Sequence, residues 1–418
     1  MELSLERDRL IRTMQTQAAI GSTAEGGLDR VALSDADREV RDWFADAMSE
    51  AGLTVRIDEV GNMFGRREGT RPDAAPVLVG SHLDSQPNGG IYDGALGVVA
   101  ALELVRTLED EDVETARPIE IVNWTNEEGT RFQPAGEASG SGVWAGTVPV
   151  ERAYETTDAD GVRFQDALEG IGYRGSHRAE PPTEYDSYLE LHVEQGPVMA
   201  DARKEVGVVT GVVSRSWGAI VFDGDADHSG TTPMHLRRDA SVAAADVIRA
   251  TRRIAEGAGE ETVGTTGRVE FSPNSINVIP GEASVTWGFR DPSDEVVDDA
   301  RAQLLSEAAT AADREGLDWR YEDKMRSTST RFSDRCIEAV QAAVDALGYE
   351  SMRLASAAGH DAPALDPICD VGMVFAVSEN GKSHCPEEYT TWDHCYVASN
   401  TLATAAVRLA NEPDCADT

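Results

Sequence analysis

Basic charge is what this sequence has least of. It sets 37 lysines and arginines against 75 aspartates and glutamates, a formal net charge of −38. Lysine itself is nearly missing, with only Lys204, Lys324 and Lys382. A chain so short of cations lacks the basic footprint that phosphate backbones require, which excludes nucleic-acid binding as its task. It is equally unsuited to anionic membrane surfaces. No run of about 18 apolar residues exists to span a bilayer. Met1 to Arg12 alternates charged and apolar residues and has no signal-peptide core. Cysteine is scarce and odd in number (Cys336, Cys369, Cys385, Cys395 and Cys415), with no CxxC pair. That excludes a disulfide framework or a cysteine zinc site and indicates a reduced cytoplasm.

What is present bounds the answer further. A length of 418 residues implies two or three domains, since one core rarely grows past roughly 250–300 residues. A hydrophobic content of 41% is ample for packed interiors. An acidic surface whose cations are nearly all arginine predicts a halophilic protein. In molar salt the Debye length shrinks to about 3 Å, and repulsion between carboxylates is screened.

The first half alternates strand-like and helix-like segments, the pattern of an α/β domain. Ser34 caps a predicted helix that Gly52 stops. Pro76–Gly80 reads as a buried strand, and Gly94–Leu108 as a helix with Asp93 at its N-cap position. Ile119–Trp124 and Tyr188–Glu194 read as further strands. Between about Val213 and Tyr321 the predicted order becomes β-α-β-β-α-β, which suits a ferredoxin-like domain. A helix from Ser333 and a strand at Val371–Val377 then resume the first pattern. The predicted architecture is therefore an α/β, mixed-sheet catalytic domain (1–212 and 329–418) interrupted by an α+β insert (213–328).

Chemistry-bearing residues gather where strands end. His82 follows the first apolar strand, and Asp93 closes the loop that comes next. Glu127 and Glu128 follow the strand that ends at Trp124. His192 lies near the end of its own strand, and His384 follows Val371–Val377. In open α/β sheets ligands bind outside the carboxyl ends of strands. Imidazoles and carboxylates in such numbers suit two divalent ions, zinc or else manganese, cobalt or nickel. A paired Glu-Glu lets one acid hold metal while its neighbour takes a proton from water. Rival chemistries find no support. No G-x-S-x-G elbow is present, and no G-x-G-x-x-G opens a helix after the first strands. Gly381-Lys382-Ser383 lacks the first glycine of a P-loop.

Several segments resemble the hydantoinase/carbamoylase branch of the M20 metallopeptidase-like amidohydrolases. They are Gly80–Ser85, Asn88–Val98, Asn126–Phe132, Glu190–Pro197, His228–Met234, Asn277–Gly281, Ala358–Ala362 and Ser383–Glu388, in family order across nearly the whole chain. The resemblance implies that His82, Asp93, Glu128, His192 and His384 hold two divalent ions per subunit, with Asp93 bridging. It makes Glu127 the general base and Asp84 the partner that fixes the His82 ring. It gives the insert the role of a lid and dimerisation domain. There His228 would reach the partner subunit's site and steady the oxyanion, while Asn277 and Arg290 grip substrate. Gln195 would touch the ureido group. His360 falls in a family motif but is not read as a ligand, and His177, His235 and His394 are read as surface or structural.

The implied reaction is hydrolysis of a linear carbamoyl or ureido C–N bond in a small acid, in a cytoplasmic homodimer. N-carbamoyl-L-amino acids lead, giving amino acid, carbon dioxide and ammonia. Allantoate or another ureido acid is the alternative. Allantoate-type members tend to carry arginine in the strand before the histidine motif, where this chain has Trp217, with Arg215 two residues away. A dipeptidase or aminoacylase of the same clan, and a scaffold that has lost catalysis, fit less well.

The charge balance makes a direct prediction. The melting temperature should rise steeply between about 0.1 M and 2 M KCl, as screening removes carboxylate repulsion. A melting curve flat over that range refutes the halophilic reading.

Overall fold

A computed structural model describes residues 3–132 and 138–413. Met1, Glu2 and Cys415 lie outside them. The chain divides into two compact units, Met1–Gly211 with Phe332–Thr418, and Val212–Arg331.

The first unit is built on a mixed sheet. Its spatial order is Thr54–Ile57, Met63–Arg67, Ile119–Trp124, Val77–His82, Ser187–Val193, Asp370–Ala376 and Val206–Val212, with Ser351–Ser356 also pairing the last. The strands Ile119–Trp124, Val77–His82, Ser187–Val193 and Asp370–Ala376 run parallel. Strands inside a parallel sheet are covered on both faces, so they are mostly apolar and buried along their whole length. Every residue of Val77–His82, Ile119–Trp124 and Ser187–Val193 is buried. Helix Ala95–Asp110 packs against Val77–His82 and against helix Trp392–Asn411. Its Glu103 is fully buried and is neutralised by Arg9 at 2.7 Å.

Two sequence readings are corrected here. Asp93 does not cap helix Ala95–Asp110. The N-cap is Gly94, with no side-chain cap bond, and the Asp93 carboxylate is turned toward histidines instead. The predicted strand near Leu317–Tyr321 extends over Asp318–Ser327.

The second unit is an antiparallel sheet in the order Val269–Ser272, Glu282–Asp291, Ser214–Asp223, Asp318–Ser327, with Val263–Thr265 beside Glu282–Asp291. This is the ferredoxin-like arrangement. Strand Glu282–Asp291 alternates strictly between buried and more open positions, as one covered face requires. Helices Ala240–Ala258 and Asp294–Glu315 cover that face, over a core that includes Phe222, Val285, Trp287, Phe289 and Leu304. Among the described residues four cysteines are free thiols. No described helix is long and apolar enough to cross a membrane.

Candidate metal centre

The parallel strands of the first unit deliver their side chains to one place. His82 is the last residue of its strand, and His192 lies one residue before the end of its own. Glu127 and Glu128 follow a tight turn in which Asn126 has φ +58°, and His384 itself sits at φ +57°. Positive φ is costly for residues with a Cβ and persists only where the surroundings hold it, often at functional sites.

Among the described residues three donor groups lie here: Glu190, His192 and His360 form one, and the other two share one carboxylate. His82, Asp93 and His192 form one group, and Asp93, Glu128 and His384 another. Asp93 Oδ1 lies 2.8 Å from His192 Nδ1, and Asp93 Oδ2 lies 3.3 Å from His384 Nε2. His384 Nε2 is 3.7 Å from Glu128 Oε2. His82 Nδ1 donates to the main-chain oxygen of Asp84 at 2.9 Å. A carbonyl can only accept, so the other ring nitrogen presents a lone pair. That nitrogen, Nε2, faces His192 Nε2 at 3.2 Å. Two ring nitrogens meeting in this way require a cation or a proton between them.

Glu127 stands beside the first group, its Oε2 3.5 Å from His82 Nε2. Asp84 holds His82 through its main chain, since its carboxylate is 3.8 Å from the ring. That carboxylate instead accepts the amides of Glu127 at 3.4 Å and Glu128 at 3.3 Å. It thereby sets the turn that aims both glutamates.

Electrostatics report a site crowded with acids. Burial, then the neighbouring His192, pushes His82 down to about 3, so its ring is neutral. Burial alone would raise Asp93, yet His192 and His384 hold it well below the usual carboxylate range. Burial followed by Asp361 and Glu128 drives Glu127 well above its ordinary value. Burial and Asp93 push Glu128 up to about 8. The hydrogen bond to Asp93 lifts His384 to about 9. Carboxyl groups crowded around the lone-pair nitrogen of His82 fit divalent cations of the borderline class.

The structure adds residues that the sequence reading passed over. Gln86 clamps Glu128 twice, its amide nitrogen donating to Oε1 at 3.1 Å and its Nε2 to Oε2 at 2.6 Å. Glu388 accepts the amides of Tyr92 and Asp93, both at 3.1 Å, and the Ser383 hydroxyl at 2.7 Å. It ties the Asp93 loop to the His384 loop. Glu388 was visible inside a quoted motif, whereas nothing in the sequence singles out Gln86. Gln195, at φ +60°, donates Nε2 to both oxygens of Asp93 at 2.9 Å.

The remaining predicted residues lie elsewhere. His228, Asn277 and Arg290 belong to the second unit. His228 is exposed on the short strand Asp227–His228, paired with Val278–Ile279, and the amide of Ser229 donates to the Asn277 carbonyl at 3.0 Å. Arg290 is half-buried in strand Glu282–Asp291. His360 packs against His192, the rings tilted by 53° with centroids 4.5 Å apart, and its Nε2 lies 2.7 Å from the Ser356 hydroxyl oxygen. His177 and His235 are exposed.

Comparison with known proteins shows what the chain is similar to. A model of peptidase family M20/M25/M40 matches residues 78–408. An N-carbamoyl-L-amino acid amidohydrolase of Geobacillus stearothermophilus is 39% identical over 409 residues, covering 97% of this chain and 99% of that protein. A probable allantoate deiminase of Oryza sativa subsp. japonica is 33% identical over 440 residues, covering 95% of this chain and 87% of that protein. Among solved structures, an amidase of the hydantoinase/carbamoylase family from Burkholderia multivorans is similar with a TM-score of 0.95 at 39% identity, over 98% of this chain and 99% of that one.

One backbone position is decisive for the centre. Gly94 has φ +63°, and a Cβ there would lie 2.3 Å from His82 Cε1. Gly94→Ala should destabilise the fold by about 1–3 kcal/mol and displace His82. A lower melting temperature with reduced bound divalent metal is expected. Unchanged metal content refutes the role.

Proposed function

The chain belongs to peptidase family M20/M25/M40, and from that premise we propose that it is a dimetal amidohydrolase cleaving the linear C–N bond of N-carbamoyl-L-amino acids. The observation that carries the reading is the Asp93 carboxylate shared between two donor groups, with the Glu127 carboxylate beside them. The Geobacillus relative is named for this activity and is matched over nearly its whole length. Allantoate is the second reading, favoured by the rice relative.

His82, His192 and Asp93 would hold one ion, and Asp93, Glu128 and His384 the other, drawn from zinc, manganese, cobalt and nickel. When bound, such ions supply a Lewis acid and lower the pKa of water toward neutrality. Glu127 Oε2 then takes the proton of the attacking water and returns it to the leaving nitrogen. Its high proton affinity, caused by burial and by Asp361, suits it to hold that proton. Asp84 keeps the base in place through the turn amides. Gln195, now on Asp93, is a candidate to turn toward the ureido group. His228, Asn277 and Arg290 would hold the oxyanion, the amide and the carboxylate. We assign His228 to the partner subunit's reaction in a homodimer made through the second unit.

Two experiments test this reading. Glu127→Gln should lower kcat by about 10²–10⁴ with both metals retained. Metal loss in that variant reverses the assignment of the two glutamates. Subunit exchange between inactive His228→Ala and inactive Glu127→Gln chains should restore ammonia release from N-carbamoyl-amino acids, because one site of each heterodimer regains both groups. A mixture that stays inactive places His228 in its own subunit's site.

A further inference from the structure

Two buried polar residues of the first unit, Gln17 and Arg30, stand behind the loops of the centre. Gln17 lies on helix Arg7–Ala19, on the inward stripe that also holds Leu10 and Met14. A stripe that faces a core is expected to be apolar, and Gln17 breaks that rule. Arg30 breaks it more sharply, because a chain so poor in cations has buried one of them whole. Polar groups enter a core at a cost that only their hydrogen bonds offset. The partners of these two residues are therefore informative.

They join the loop that follows His82 to the loop that precedes Asp93. Arg30 Nε donates to the Leu83 carbonyl at 2.6 Å. Its main chain grips the same loop: the Arg30 amide donates to the Ser85 hydroxyl at 3.1 Å, and its carbonyl accepts the Ser85 amide at 3.0 Å. Gln17 Nε2 donates to the Ile91 carbonyl at 2.9 Å, two residues before Asp93. The side chains meet, Arg30 Nη2 donating to Gln17 Oε1 at 2.9 Å. Arg30 Nη1 turns back to the carbonyls of Gln17 at 3.0 Å and Ile20 at 3.2 Å. A continuous chain of hydrogen bonds thus runs from Leu83 through Arg30 and Gln17 to Ile91. Beside it Leu28 and Gly89 exchange main-chain bonds at 2.9 and 2.8 Å. There is no slack there, since a Cβ on Gly27 would lie 2.5 Å from the Gly89 oxygen. Every acceptor named for the guanidinium is neutral, so it does not serve an ion pair. It serves as a rigid planar fork with donors aimed in several directions, which an ammonium cannot replace.

We propose that Gln17 and Arg30 are positioning residues that brace the His82 loop against the Asp93 loop, and so set the affinity of the His82, Asp93 and His192 group for its ion. The inference rests on the dimetal reading above and goes beyond it, since neither residue belongs to a donor group. His82 and Asp93 must meet one ion from separate loops, and a metal site tolerates ligand distances only within about 0.2 Å. Something has to hold the two loops to that tolerance, and the Leu83–Arg30–Gln17–Ile91 chain spans them.

The test separates bracing from stability alone. Metal-free full-length protein is titrated with Zn²⁺ against a competing chelator, and its melting temperature is measured in parallel. Gln17→Glu keeps an acceptor for Arg30 but puts an oxygen where the donor to Ile91 was. Gln17→Met removes both bonds at similar volume. Each should weaken zinc binding about 10–100-fold, the range for partners that stand behind metal ligands. Each should also alter the visible absorption of the Co²⁺-loaded protein, because the donor angles move. Glu103→Gln is the control, since it breaks the buried pair with Arg9 in the same unit. It should lower the melting temperature while zinc affinity and the cobalt spectrum stay as in wild type. If one Gln17 variant fails to fold, the other carries the measurement. Gln17 variants that follow the control, losing stability but not zinc affinity, overturn the brace and leave the dimetal reading intact. Wild-type protein that binds no zinc overturns the dimetal reading itself.

Discussion

The carboxylate of Asp93 is the constraint around which the first unit is arranged. One oxygen faces His192 and the other His384, and both accept from Gln195. Its main-chain amide is held by Glu388. A buried acid in contact with so many donors cannot move without breaking several of them at once. The loop that carries it, the glycine that lets His82 approach, and the strand ends on either side all follow from keeping that carboxylate fixed. Its bonds reach beyond the ring of candidate ligands to Gln195 and Glu388, and bonds of that kind commonly decide metal affinity.

Much of this was legible in the sequence for a simple physical reason. A parallel strand buried on both faces is mostly apolar, so a run such as Val77–Gly80 announces itself, and Ile119–Trp124 does so despite the buried Glu120 and Asn123. Polar residues that follow such runs have only the carboxyl edge of the sheet to occupy. His82, Glu127, Glu128, His192 and His384 could thus be gathered before any coordinates were known.

What was not legible depends on distance along the chain. Asp93 was read both as a helix cap and as the bridging carboxylate, and only the second role survives, because His192 and His384, far along the chain, approach its side chain. Glu388 reaches the Asp93 amide across 295 residues, and no local periodicity encodes such a contact. Gln86 is near Glu128 only once two parallel strands are in register. Asp84 was identified through its side chain, yet its main-chain oxygen holds the ring and its carboxylate serves the opposite turn.

The order of the strands bears on how such a chain is born. Asp370–Ala376 lies between Ser187–Val193 and Val206–Val212 in the sheet, although it is synthesised after the whole of the second unit. A nascent chain that has reached residue 331 therefore has a sheet with its middle missing. It also lacks His384 and Glu388. The five-stranded sheet of the second unit pairs only among its own strands, so it can fold first on the ribosome while the first unit waits. Metal capture is thereby deferred to the end of translation. The exposed edge of Ser187–Val193 is, during that interval, the place where this protein is most open to mispairing, and a chaperone would have most to protect there.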